Sequence, residues 1–242
     1  MKITMLGVGN GFSPGVYDNN VLLEDGGQCC LIDCGTTAWL SLEQMGRRRE
    51  EIETIFITHL HFDHSGGVES AALYGKYVAG RKQRLIVPQP IAGLFWDGVL
   101  RGTIENKGEG LTTLSDYFEV ETPAEGETFT LCGGVRAIWF STNHVTGKFS
   151  CGLFMNGRIV FTSDMRNDLP LLLNLERQGA EYILHDCQLK GAQVHADFET
   201  MKGYPEQIQE KILLMHHGLL DERQAPDSGR MKFLFQHRSL EL

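Results

Sequence analysis

THLHFDHSGG, residues 58–67, places three histidines and an aspartate within six positions, directly after the apolar run TIFI (54–57). In an extended or tightly turned segment, residues two apart project to the same side, so His59 and His61 can share one cation. Asp63 and His64 follow in the turn and can face a second. Imidazole and carboxylate at this density suit zinc, with manganese or iron as weaker fits. A strand that delivers four such side chains to its end reads as a metal site.

Other strands end in the same way. Short apolar runs bounded by Gly, Asn, Asp or Pro recur along the chain, and FITH, FTSD, ILHD and LLMHH each finish on histidine or aspartate. Ligands at strand ends converge on one sheet edge, where loops present polar groups without burying them. His144 in STNHVTGKFS and Asp164 in IVFTSDM flank a hairpin made of FSCGLFM, a turn at NGR, and IVFTSD. KILLMHHG offers His216 or His217. One histidine from each of these two segments, with an aspartate able to bridge, would complete two adjacent metal sites. Helical patterns fall between the strands at 37–45, 67–79, 91–99, 169–178 and 204–210, which predicts a mixed α/β fold. RGTIENKGEG (101–110) reads as a flexible loop, and KFLFQ near the end as an edge strand, a dimer contact or packing.

Composition narrows the function classes. The 242 residues suit one large domain spanning 1–242. A formal net charge of −9 opposes gripping a long phosphate backbone, so no large nucleic acid is expected as a partner. Six cysteines without paired CxxC spacing read as reduced core thiols. The start MKITMLGVGNG lacks the apolar core of a signal peptide, and no stretch approaches the ~20 apolar residues needed to span a bilayer. The expected location is cytoplasmic, with no membrane partner. GVGNGFSPG lacks the GK[ST] ending of a phosphate loop and reads as a glycine turn between the first two strands, bordering the site.

HLHFDH followed by His144, Asp164 and His216 resembles the metallo-β-lactamase superfamily, whose HxHxDH motif and later His, Asp and His bind two metals. MLGVGNGFSP, NNVLLE and LIDCG are similar to its opening strands, so the resemblance covers nearly the whole chain. It implies an αβ/βα four-layer sandwich, two mixed sheets flanked by helices. It also implies two Zn²⁺, with Mn²⁺ as the alternative: His59, His61 and His144 on the first, Asp63, His64 and His216 on the second, Asp164 bridging. Asp63 would also orient or deprotonate the attacking water. His217 is left near the substrate.

ILHDCQLKGAQVHADFET is similar to the linked loops of the ribonuclease Z-like phosphodiesterases, with DCQ where that branch usually has Glu-Ala-Thr. The resemblance implies that Asp186 orients His195, and that His195 protonates the leaving alkoxide. Members of that branch that process transfer RNA carry a long arm between the positions of His144 and Asp164; here only nineteen residues intervene. The overall pattern is most similar to phage anti-Pycsar phosphodiesterases and their bacterial relatives, which implies a homodimer that opens 3′,5′-cyclic mononucleotides, in the host cytoplasm if phage-encoded. Competing readings are a transfer-RNA 3′ endonuclease, a lactonase-type carbonyl hydrolase on the same two metals, and a non-catalytic nucleotide-binding protein.

Overall fold

In the computed structural model, which describes residues 1–242, the apolar runs form two seven-stranded sheets. The first contains β1 (Lys2–Met5), β2 (Val21–Asp25), β3 (Gln28–Ile32), β4 (Ile52–Phe56), β5 (Arg84–Ile86) and β6 (Glu119–Glu121). The second contains β7 (Phe129–Thr130), β8 (Arg136–Ser141), β9 (Cys151–Met155), β10 (Ile159–Phe161), β11 (Tyr182–Asp186), β12 (Ile212–Met215) and β13 (Lys232–Phe233). The last strand, β14 (Ser239–Glu241), returns to pair antiparallel with β1 and completes the first sheet in the order β14-β1-β2-β3-β4-β5-β6; the second runs β13-β12-β11-β10-β9-β8-β7. Counted from β14 and from β7, each sheet has three antiparallel pairings followed by three parallel ones. The halves share a topology although their sequences show no repeat.

Burial follows from composition. β12 (ILLM) is apolar throughout and buried throughout, as a strand covered on both faces must be. β8 alternates, with Ala137 and Trp139 turned into the core and Arg136, Ile138 and Phe140 less buried on the other face. One apolar cluster lies between the sheets and includes Ile3, Leu23 and Phe56 from the first and Trp139, Leu153 and Met215 from the second. A second, with Trp39, Val68 and Phe95, joins the outer face of the first sheet to its helices; a third, with Leu172, Phe198 and Ile208, does so for the second sheet. These three cores separate four layers, the αβ/βα sandwich. All six cysteines are free and buried. No helix is long and apolar enough to cross a membrane.

Asn156 and Gly157, both at positive φ (50° and 65°), turn β9 into β10. The segment between His144 and Asp164 is thus the plain hairpin expected. The reading of 101–110 as a flexible loop is corrected: Arg101–Ile104 is helical and Lys107–Glu109 forms a 3-10 turn. Buried Ile104 and Leu111 anchor this polar segment from either side, and Tyr117 donates its hydroxyl proton to the Ile104 carbonyl. KFLFQ supplies the edge strand β13.

Phe56 and Phe129 stack across the sheets with ring centroids 5.6 Å apart. Phe56→Ala should lower stability by about 3–5 kcal/mol in urea denaturation, the usual cost of emptying a buried aromatic site. A loss under 1 kcal/mol would mean that the two sheets do not depend on this contact.

Candidate functional site

The structure brings His59, His61, Asp63, His64, His144, Asp164 and His216 together at the carboxyl ends of β4, β8, β10 and β12. After β4 the chain turns into a one-turn helix, Phe62–Ser65, with His61 at its N-cap. Extended backbone before the helix and helical backbone within it aim all four side chains of the motif inward.

The polar atoms form two groups. In the first, His61 Nδ1 lies 3.1 Å from His59 Nε2 and 3.3 Å from His144 Nε2, while Asp164 Oδ2 lies 3.8 and 3.6 Å from the latter two. In the second, His64 Nε2 lies 3.5 Å from Asp63 Oδ2 and 3.3 Å from Asp164 Oδ1, and His216 Nε2 lies 3.7 and 3.5 Å from the same oxygens. A tetrahedron with metal–ligand bonds of ~2.1 Å has edges of about 3.4 Å. Both groups fit it, and Asp164 offers one oxygen to each. His64 Nε2, Asp164 Oδ1 and His216 Nε2 are buried without any hydrogen-bond partner, which is costly unless a cation completes them.

The far ring nitrogens are held in place. His64 Nδ1 contacts Asp33 Oδ2 at 2.7 Å, His144 Nδ1 donates to the Val194 carbonyl at 2.7 Å, His59 Nδ1 lies 3.1 Å from Thr58 Oγ1, and His216 Nδ1 lies 3.3 Å from Asp186 Oδ1. Such contacts fix the tautomer and turn Nε2 toward the centre. Asp33 also accepts the Thr58 N–H and hydroxyl, and Thr58 Oγ1 reaches Ser163 Oγ at 2.7 Å. Asp33, Ser163 and His216 all adopt left-handed φ (64°, 52° and 63°), a conformation costing about 1–3 kcal/mol per residue that persists only where the surroundings enforce it.

Asp186 does more than the sequence suggests. Its Oδ2 lies 2.8 Å from His195 Nδ1 and accepts the Met165 N–H, while Oδ1 faces His216. One carboxylate therefore orients both rings, and the partly exposed His195 keeps Nε2 free of partners within the chain. His217 does not face the cluster as a substrate group would. Its Nε2 donates to the Leu234 carbonyl at 2.8 Å, its Nδ1 accepts the Leu219 N–H, and Phe233 and Phe235 pack on the ring. Both nitrogens serve the backbone, so His217 braces the turn after β12. Asp33 and Thr58 were missed, although LIDCG is another strand that ends on aspartate.

The N-terminal loop borders the site as expected, but it is a long connection from β1 to β2 rather than a tight turn. A Cβ on Gly11, at φ 71°, would come within 3.1 Å of the Asp63 side chain.

Residues 1–240 match the family model described as Anti-Pycsar protein Apyc1. A protein of that name from Paenibacillus xerothermodurans is 39% identical over 241 residues, covering 99% of this chain and 96% of its own. Another from Bacillus phage vB_BsuM-Goe3 is 35% identical over 257 residues, covering 99% and 97%. Among solved structures, the metallo-β-lactamase fold protein YhfI from Bacillus subtilis is similar with a TM-score of 0.73 at 15% identity, covering 99% of this chain and 98% of its own.

The two groups differ in proton load. Burial and neighbouring imidazoles hold His59, His61 and His144 below the ordinary histidine pKa despite Asp164. Burial would lower His64 and His216 too, but carboxylates outweigh it: Asp164, Asp33 and Asp63 hold His64 well above the ordinary value, and Asp164 and Asp186 push His216 up to about 10. At neutral pH the first trio is ready to bind a cation, whereas His64 and His216 must first give up protons. Zinc titrated into metal-free protein at pH 7, in calorimetry buffers of differing ionisation enthalpy, should show one step with little proton release and one releasing about two protons. Lowering the pH should weaken the second step more steeply. Two steps with equal proton release would contradict the assignment.

Proposed function

The chain belongs to the Anti-Pycsar protein Apyc1 family, and from that membership and the site's geometry we propose that it is a metal-dependent phosphodiesterase that hydrolyses 3′,5′-cyclic mononucleotides. The products are the 5′-monophosphates of cCMP and cUMP, with cAMP and cGMP as further substrates, and the consequence is the defeat of bacterial Pycsar anti-phage signalling. The observation that carries this reading is His195, a histidine with one nitrogen tied to Asp186 and the other free, beside a cluster fitted to two divalent cations. When bound there, two divalent cations, Zn²⁺ or Mn²⁺, supply a water activated at neutral pH and charge neutralisation at the phosphate.

The residues then divide the work. His59, His61 and His144 would hold one cation and Asp63, His64 and His216 the other, with Asp164 between the two groups. Asp63, beyond its place among the ligands, would orient the attacking water and accept its proton. Asp186 holds His195 by Nδ1, so that Nε2 can deliver a proton to O3′ as the bond to phosphorus breaks. An alkoxide is a poor leaving group, and this proton is what a phosphodiester needs.

The short β9–β10 hairpin and the net charge of −9 favour a small substrate over a folded RNA. A homodimer in the host or bacterial cytoplasm is part of the same reading.

Purified, zinc- or manganese-loaded protein should convert cyclic mononucleotides to 5′-monophosphates by chromatography, and His61→Ala or Asp164→Ala should abolish this. No turnover of cCMP, cUMP, cAMP or cGMP would refute it. His195→Ala should slow turnover by roughly two or more decades with metal content unchanged. Loss of metal as well would make His195 a ligand rather than an acid.

A further inference from the structure

Next to the metal cluster the surface drops into a cavity of about 440 Å³ whose lining includes His59, His61 and His144. Its walls are Pro90, Ile91, Leu94, Val99 and Phe149, and its one charged lining residue is Lys148. No carboxylate faces it. A second phosphate would call for several cations or backbone donors, and a sugar for paired hydrogen-bonding groups; this lining provides neither. It suits a flat group with apolar faces and an electron-rich edge.

Two features show that the wall is shaped rather than incidental. Leu94 stands on it while remaining 59% exposed, which leaves an apolar face at the cavity open to a ligand. The helix carrying it widens into a π-turn at Phe95–Leu100, a rare geometry that recurs at functional sites. Within that turn a Cβ on Gly98 would come 2.9 Å from Leu94 Cδ1, so glycine lets Leu94 lie flat along the wall. A comparable hollow lined by Arg136, Asn156 and Gly157 sits by the β9–β10 turn, at the strand ends remote from the ligands, and has no such link to the cluster.

We propose that this cavity receives the nucleobase of the cyclic nucleotide, with Leu94 as the platform for the ring and Lys148 as donor to a ring carbonyl. The proposal rests on the phosphodiesterase reading for its substrate class. His144 touches both regions: it lines the cavity, and its ring lies 4.8 Å from that of His195. The base would thus lie on one side of His144 and the proton donor on the other.

The test uses metal-loaded protein, wild type, Leu94→Ser and Lys148→Met. With cyclic CMP, Leu94→Ser should raise KM roughly tenfold while kcat changes little, since the contact is the same in ground and transition states. With the abasic 3′,5′-cyclic ribose phosphate the same substitution should change nothing. Lys148→Met should raise KM for cyclic UMP more than for cyclic AMP, whose base carries no carbonyl oxygen; equal effects would overturn the role of Lys148. Calorimetric binding of CMP against ribose 5-phosphate gives a readout independent of turnover. CMP should bind more tightly, and Leu94→Ser should erase the difference. Equal binding of the two, or an unchanged KM in Leu94→Ser, overturns the cavity as a base site. If no cyclic nucleotide is turned over but CMP keeps its advantage, the base site stands and the phosphodiesterase reading falls.

Discussion

Asp164 is buried, and its two carboxylate oxygens face two different groups of histidines. An isolated carboxylate in that position would be too costly to keep ionised. Five imidazoles surround it, from His59, His64, His144, His195 and His216, and three of them, His216, His64 and His59, hold its pKa far below the ordinary range despite burial. The histidines depend on it equally, because so many nitrogens packed at hydrogen-bonding distance would repel once protonated. The ends of both sheets are organised to keep this mutual arrangement in register, and Asp33 and Asp186 extend it outward by one contact in each direction.

Much of this was legible because ligands in this fold lie at strand ends, and strand ends are visible in sequence. HLHFDH, His144, Asp164 and His216 could be picked out for that reason, and Asp186 with His195 through the resemblance of ILHDCQLKGAQVHADFET to the linked loops of ribonuclease Z-like phosphodiesterases. Residues that act on the ligands from behind were not legible. Thr58 reaches Ser163, 105 positions away, and Val194 contributes only a carbonyl, which no side-chain pattern reveals. His217 illustrates the opposite error. In sequence it is equivalent to His216, but the left-handed φ of His216 turns the next residue away from the centre and into the backbone of the C-terminal segment.

The polar segment 101–110 was misread for a related reason. Its composition is that of a loop, and only the burial of Ile104 and Leu111 against the outer core makes it regular. The same stretch of chain, from Pro90 onward, builds the cavity wall beside the cluster. Local irregularity there, a π-turn with a glycine inside it, accompanies a helix that is anchored in the core by Phe95 and Leu100 and presents Leu94 to solvent.

The pairing of β14 with β1 bears on how the protein can be made. The strand that completes the first sheet is made after every other strand of both sheets, so until it emerges the edge of β1 stays open to any other extended chain. The cluster is spread similarly, from His59 to His216, and the partner of His217 lies later still, at Leu234. A nascent chain that has not yet reached His216 can therefore hold neither a finished first sheet nor a finished metal centre. Closing the first sheet and completing the metal centre both wait on the segment from His216 to β14.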